Sequence, residues 1–279
     1  NVGFDRNVYS AATMGRGEYI LIMGSDDVFM PGALDAILDY LESKPDVLIY
    51  NRQECDDEFH TLRVTRYANY KAASTKLVIR DEDDIVSYFK HVTSLCGVFS
   101  YISSVVFRSD RLNYPEYAVG TGYIHAAIQL TILREGGTIC YTQSVFVGCR
   151  IEGSFREKLA DKLLFLDLNG YGLFAEKIFD HYHRAASLLL YIAVRPYLGI
   201  KFSIKGKFFM DKKDWLRFLF WIRKNRALLP KRDIYKFYLY NLLTPLYAIP
   251  RWFVSLAVSF LYKTIHHRAI PWSIRGGES

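Results

Sequence analysis

The chain has 279 residues, 51% of them hydrophobic and 23% charged, with a formal net charge of +7. That composition is enough for one large core or two modest ones and excludes a disordered polypeptide. The charge is uneven: residues 1–150 carry 14 Lys and Arg against 19 Asp and Glu, and residues 151–279 carry 22 against 10.

Asp5 to Met14 reads as a helix closed by Gly15 and Gly17. The apolar run Tyr19 to Met23, between Gly17 and Gly24, reads as a short buried strand with Asp26-Asp27 at its C-terminal end, where ligands sit in open α/β sheets. Pro31 opens a helix with Leu34, Ile37, Leu38 and Leu41 at helical spacing, stopped by Lys44-Pro45. Asp46 to Tyr50, with Val47, Leu48 and Ile49, reads as the next buried strand, and residues 54–79 as irregular strands and loops. Asp81 to His91 is a helix whose acidic first turn suits the helix dipole. Tyr101 to Arg108 is strand-like, Gly120 to Glu135 helical, and Thr138 to Arg150 a strand. From Phe155 onward the chain is helical and basic. Leu242 to Ile265 is its most membrane-like part, but Pro245, Pro250 and Arg251 break any span of about 20 apolar residues. An interfacial amphipathic helix fits better than a spanning one. The expected architecture is α/β, an incomplete Rossmann-like domain with a mixed sheet over residues 1–152, then a basic helical region over 153–279.

The chemistry concentrates at Ser25-Asp26-Asp27. Two adjacent carboxylates before a Pro-started helix suit Mg²⁺ or Mn²⁺, which take one or two protein carboxylates and complete their shell with substrate phosphates. A helix cap or a turn is the competing role for either residue. The stretch Asp81-Glu82-Asp83-Asp84 reads more simply as a solvated helix N-terminus. Cys55, Cys96, Cys140 and Cys149 form no C-x-x-C pair and no zinc pattern, as expected of free thiols in a reducing cytoplasm. The first residue is Asn, and the first residues lack the layout of a secretory leader.

The ordered series Asn1-x-Gly3, Arg6-Asn7, Ala12, Gly15, Gly17-Glu18-Tyr19-Ile20, Ser25-Asp26-Asp27, Pro31 and Leu34 resembles the family 2 glycosyltransferases of GT-A fold. The match is close over residues 1–40 and loose over 41–150. It implies a nucleotide-sugar donor and a cation held by Asp26 and Asp27, with Asp27 the direct ligand. Donor contacts would come from Asn1, Arg6, Asn7, Ser25 and Asp26. Gly24 stands where the family often has a further Asp, at the position that usually faces the nucleotide ribose or the metal's outer shell. The resemblance also implies a strand–helix–strand unit ahead of Asn1, so residues 1–279 by themselves are expected to bind donor weakly.

Inverting members of this family take the acceptor's proton with a carboxylate from a Glu-Asp pair at the start of a helix. Here that pair aligns with Ile124-His125. His125 can serve as the base, since an ordinary imidazole titrates near about 6.5; a structural or capping histidine is the equal alternative. Asp110 and Glu116 are the reserves; Arg150, at the end of the last strand, can steady a diphosphate, with a surface or salt-bridged arginine the more ordinary alternative. The run Tyr117 to His125 is similar to the abequosyltransferase-type branch, which acts in O-antigen assembly.

In the basic region, Lys201, Lys205, Lys207, Lys212 and Lys213 interleave with Phe202, Phe208, Phe209 and Trp215. With no RNA-binding signature present, no nucleic acid is expected; an anionic membrane surface is the fitting partner, and an ordinary helical packing domain is the alternative. The expectation is a metal-dependent inverting glycosyltransferase with a lipid-linked saccharide acceptor, peripheral at the cytoplasmic face of the bacterial inner membrane. A non-catalytic scaffold of the same shape is the alternative. A phosphatase or nuclease lacks the extra ligands its chemistry needs.

Overall fold

The structure, a computed structural model, describes residues 2–150 and 155–247, with only the backbone described for 155–162, 205, 208–209 and 244–247. Asn1, the expected boundary at 152/153 and most of the membrane-like run lie outside the described residues.

Helix α1 (Phe4–Met14) turns Asp5, Val8 and Ala12 inward at helical spacing. Strands β1 (Tyr19–Leu21) and β2 (Asp27–Phe29) follow, then helix α2 (Ala33–Leu41). Gly32, at φ 73°, makes the left-handed turn that starts α2 two residues after Pro31. Ala33 and Ile37 face the sheet, whereas Leu34 and Leu38 of the expected apolar stripe are exposed. Strand β3 (Val47–Cys55) runs five residues past its apolar start and is buried throughout. Strands β4 (Thr61–Thr65) and β5 (Ser74–Ile79) lead to helix α3 (Glu82–His91), whose N-terminus is capped by Asp81 accepting from Asp84 N at 3.1 Å.

Residues 101–104, expected to be strand, instead form a 3₁₀ turn over Ile102–Ser104 before strand β6 (Val105–Arg108). Helix α4 (Ile124–Glu135) ends at Gly136, and strand β7 (Gly137–Arg150) is the long central partner of the sheet. The seven strands form one mixed sheet in the order β1-β6-β3-β7-β2, with β4 on β3 and β5 on β7. Strands β3 and β7 are parallel, and β6 runs against both β1 and β3.

That order decides where the site lies. The chain leaves β1 at one edge and enters β2 at the other, so residues 22–26 cross the sheet's end. There β1, β3 and β7 finish and β6 begins, the end at which open α/β sheets bind ligands.

Alternation along the strands separates two cores. Leu48, Tyr50, Val106, Cys140 and Val147 pack under α2. Val47, Ile49, Val105, Phe107, Ile139 and Tyr141 join a larger core on the other face. That core continues through helices α5 (Phe155–Lys177), α6 (His183–Val194), α7 (Ile200–Phe209), α8 (Lys212–Asn225) and α9 (Lys231–Tyr247). Glu82 accepts from Arg184 N at 2.7 Å and Ala185 N at 3.1 Å, so one residue of the acidic stretch caps α6 from outside it. Trp215 and Phe202 pack on Phe218, and Trp215 lies over Gly206. These two aromatics of the Lys–aromatic series are therefore core, not a stacking surface.

Candidate functional site

The Gly24–Asp27 turn is closed by Asp27 N donating to Gly24 O at 3.2 Å. Asp27 then begins β2 and pairs with Cys149. It therefore opens a second strand; it does not sit on the end of the first. Ser25 and Asp26 are exposed, and Asp27 is half-buried. Both Asp27 oxygens are held: Tyr101 donates its hydroxyl to Oδ1, and Ser103 donates to Oδ2 at 2.5 Å. Gly24 N donates to the Ser103 hydroxyl at 2.8 Å, locking the turn to the same loop. Burial, then the bond to Asp27, pushes the Tyr101 phenol well above its usual range, so it stays a donor.

Behind Tyr101 lies a buried ion pair. The Arg52 guanidinium stacks 3.9 Å above the Tyr101 ring and donates to Glu54 Oε1 at 3.2 Å. Glu54 also accepts from Arg63 and from Thr65. Arg52 and Glu54 are 3% and 1% exposed, and their mutual ion pair offsets that burial while Arg52 Nε is left without a hydrogen-bond partner.

The two carboxylates converge. A Cβ placed on Gly24 would lie 2.7 Å from Asp27 Oδ2 and 3.1 Å from Asp26 Oδ1. A side chain at position 24 would crowd both carboxylates, so the departure from the family's usual Asp has a steric counterpart here. Among the described residues no group of three or more His, Cys, Asp or Glu is placed to hold a metal. Two adjacent carboxylates, one exposed and one half-buried, nevertheless fit Mg²⁺ or Mn²⁺, which complete their shell with substrate phosphates.

His125 lies on the other side of the same loop. Its Nε2 pairs with Ser100 O at 3.3 Å, one residue before Tyr101. The ring is 3% exposed, with Phe4 edge-on at 6.2 Å and Tyr123 at 6.0 Å. Burial lowers its pKa to about 4, against smaller raising effects of Ser100 and Asp5. With Nε2–H donating, Nδ1 is the nitrogen left to accept a proton, and it has no partner.

The start of α4 is set by a residue far away. Asp5 accepts from Gly120 N at 2.7 Å, Gly122 N at 2.9 Å and Ile124 N at 3.1 Å. Gly120 and Gly122 have φ of 91° and 74°, left-handed turns that aim their N–H groups at this carboxylate.

The remaining expected residues are dispersed. Arg6 and Asn7 are exposed on α1, with Arg6 beside a recess shared with Tyr9 and Tyr114. Arg150 lies over the Phe59 ring at 5.2 Å. It pairs with Cys55, so strand alternation puts it on the face opposite Asp27 and Cys149. Asp110 is paired with Arg108, which holds its carboxyl below the usual range, and Glu116 is exposed. A recess of about 540 Å³ between Tyr117, Thr121, Phe165, Asn169 and Arg217 shares no residue with the carboxylate turn.

Sequence reasoning missed Asp5, Arg52, Glu54, Tyr101 and Ser103. One signal was available: the polar run Asn51–Glu54 follows a buried apolar strand with no turn residue between. The chain there continues as strand and must satisfy those groups internally.

Residues 1–109 match Glycosyl transferase family 2, so this segment is a family 2 glycosyltransferase segment, and the mixed α/β sheet is of the GT-A type. Among curated proteins the chain is similar to the abequosyltransferase RfbV of Salmonella typhimurium, 27% identical over 193 residues. That similarity covers 67% of this chain and 57% of the relative, so the chain spans little more than half the relative's length. Among solved structures it resembles residues 1–349 of TarS from S. aureus, with a TM-score of 0.52 and 12% identity over 86% of this chain and 70% of that one. That second likeness is one of fold.

Proposed function

We propose that the chain carries the metal-binding part of an inverting glycosyltransferase, moving a sugar from a nucleotide-sugar donor to a lipid-linked saccharide in surface polysaccharide synthesis of the O-antigen kind. The observation that carries this reading is the convergence of Asp26 and Asp27 over Gly24, at the ligand end of the sheet and inside the family-matching segment. The relative's name supports a transferred deoxysugar.

Mg²⁺ or Mn²⁺, held by Asp27 with Asp26 beside it, would supply Lewis-acid neutralisation of the departing diphosphate. Tyr101 and Ser103 orient Asp27, and Arg52 holds the Tyr101 ring in place. Ser25 is the donor contact proposed at this turn, with Asn1, Arg6 and Asn7 proposed from the start of the chain; Arg150, on the opposite face of β7, is not part of the set. The acceptor hydroxyl attacks the anomeric carbon, and its proton passes to the Nδ1 of His125. Reaching Nδ1 requires the surrounding side chains to open, since the ring is 3% exposed at rest. The chain acts peripherally at the cytoplasmic face of the bacterial inner membrane. Among the described residues no helix is long and apolar enough to cross a membrane.

Thermal denaturation with millimolar Mn²⁺ and a panel of nucleoside diphosphates tests the reading. A rise in Tm that needs both components, and that Asp27→Asn abolishes, is expected. No rise with any nucleotide sinks it. A rise without sugar transfer would instead favour a binding or scaffold protein, which the buried His125 at the usual carboxylate position also suits.

A further inference from the structure

Phe202 and Trp215 are spent on the core, but large apolar side chains are exposed elsewhere on the helical region. On α8, Leu216 and Phe220 stand one turn apart, with Trp215, Phe218 and Ile222 buried on the opposite side. On α9, Tyr235, Leu239 and Leu242 follow each other at helical spacing while Ile234 and Phe237 are buried. Together with Tyr238, these six side chains are between 43% and 75% exposed. Phe218 packs on Phe237 at 5.7 Å, so the helices are locked side by side. Phe220 and Tyr238 share the rim of one recess of about 480 Å³, which makes the two stripes parts of a single surface.

Such a patch, rimmed by polar residues, marks an interaction site. Its charge indicates the partner. Residues 211–242 hold nine Lys and Arg against three Asp. Lys213 and Arg223 continue the Leu216–Phe220 stripe along α8, and Arg232 continues the Tyr235–Leu242 stripe along α9. Two of the three acids are engaged: Asp211 caps α8, and Asp233 accepts from the Tyr191 hydroxyl at 2.5 Å. The chain also runs from α9 directly into the aromatic sequence Arg251-Trp252-Phe253.

We propose that the exposed faces of α8 and α9 form an interfacial membrane-docking surface. Leu216, Phe220, Leu239 and Leu242 enter the headgroup–acyl boundary, and Lys213, Arg223, Arg232 and Lys236 hold anionic lipid phosphates. An apolar stripe with a cationic rim binds such a surface through buried area and charge together. A second copy of this chain is disfavoured because like charges would face each other. The inference deepens the peripheral-membrane part of the proposed function and does not depend on glycosyl transfer.

Co-sedimentation of the full chain with phosphatidylcholine vesicles, with and without phosphatidylglycerol, tests it. Binding is expected only with phosphatidylglycerol and is expected to weaken in high salt. The pairs Leu216→Glu with Phe220→Glu, and Leu239→Glu with Leu242→Glu, are each expected to reduce binding about tenfold or more. Phe220→Gln with Leu242→Gln, which keeps helix propensity and charge, serves if the Glu pairs fail to fold. Undiminished binding by folded variants overturns the proposal, because residues 248–279 would then carry the contact. Absence of binding to phosphatidylglycerol vesicles overturns it too, as does a dimer in sedimentation velocity that the same substitutions dissociate. Transfer activity, measured separately with a soluble acceptor, is expected to survive these substitutions.

Discussion

The hydroxyl of Tyr101 donates to Asp27 Oδ1 across 74 positions of sequence, and the Arg52 guanidinium lies 3.9 Å above the same ring. One side chain thus couples an exposed carboxylate turn to a buried ion pair. Tyr101→Phe keeps the stacked ring and deletes only the donor. It is expected to cost about 1 kcal/mol of folding stability. Outer-sphere partners of metal ligands typically matter more to the metal, so the apparent affinity for Mn²⁺ with nucleoside diphosphate is expected to fall at least about tenfold. Urea denaturation and a metal titration read the two effects, and an unchanged titration would show that Asp27 is oriented by something else.

Asp5 is the second long-range organiser, bonded to three N–H groups that lie 115 to 119 positions away. Asp5→Ala leaves those donors without their acceptor in a buried place. A loss of about 3 kcal/mol is expected, with Asp5→Asn losing less because its amide oxygen still accepts. Hydrogen exchange at Gly120, Gly122 and Ile124 is expected to accelerate in step. Protection retained at all three in Asp5→Ala would show that the loop holds itself.

His125 makes stability depend on pH with a defined sign. Burial lowers its folded pKa to about 4, below the roughly 6.5 of an exposed imidazole. Between those values the unfolded chain binds a proton that the folded chain refuses, so stability rises with pH there. Its contribution is complete above the unfolded pKa and declines by about 3 kcal/mol as pH falls to the folded one. The difference between wild type and His125→Gln, measured by urea midpoint across this window, isolates the effect. A difference that stays flat with pH contradicts the buried neutral ring.

Gly206 tests the helical region. A Cβ there would lie 2.2 Å from the Trp215 ring, closer than any packed pair allows. Gly206→Ala gains helix propensity yet must displace a side chain that is 8% exposed. The net expectation is a loss of about 1 to 2 kcal/mol. Gly172→Ala in α5, whose Cβ would have its nearest neighbour at 4.0 Å, is expected to be neutral or stabilising. Comparing the two melting curves separates packing from propensity.

Much of the architecture was legible because its signals are local. Gly15 and Gly136 mark the ends of α1 and α4, Asp81 caps α3, and the apolar runs at Tyr19, Val47 and Thr138 are strands. Errors arose where distant groups overrode local pattern. Tyr101 to Ser104 looks like strand by composition, but its side chains and backbone are claimed by Asp27, Gly24 and Tyr50, and the chain turns to serve them. Leu34 and Leu38 fit a helical stripe, yet the sheet takes only the face bearing Ala33 and Ile37.

The sequence by itself determined that a carboxylate pair stands after a short buried strand, in a context resembling a sugar-transfer family, with acidic and basic halves. Only the tertiary structure decided what surrounds that pair. The crossing from β1 to β2 carries Asp27 past the loop before β6, and the parallel pairing of β3 with β7 buries Arg52 and Glu54 behind it. Helix packing likewise decided that Trp215 is core while Phe220 is surface, although both are aromatic residues among lysines and arginines. The physical reason is the same in each case. Spacing along the chain sets which side chains share a face, but which faces meet depends on strand order and helix packing, and neither is a local property.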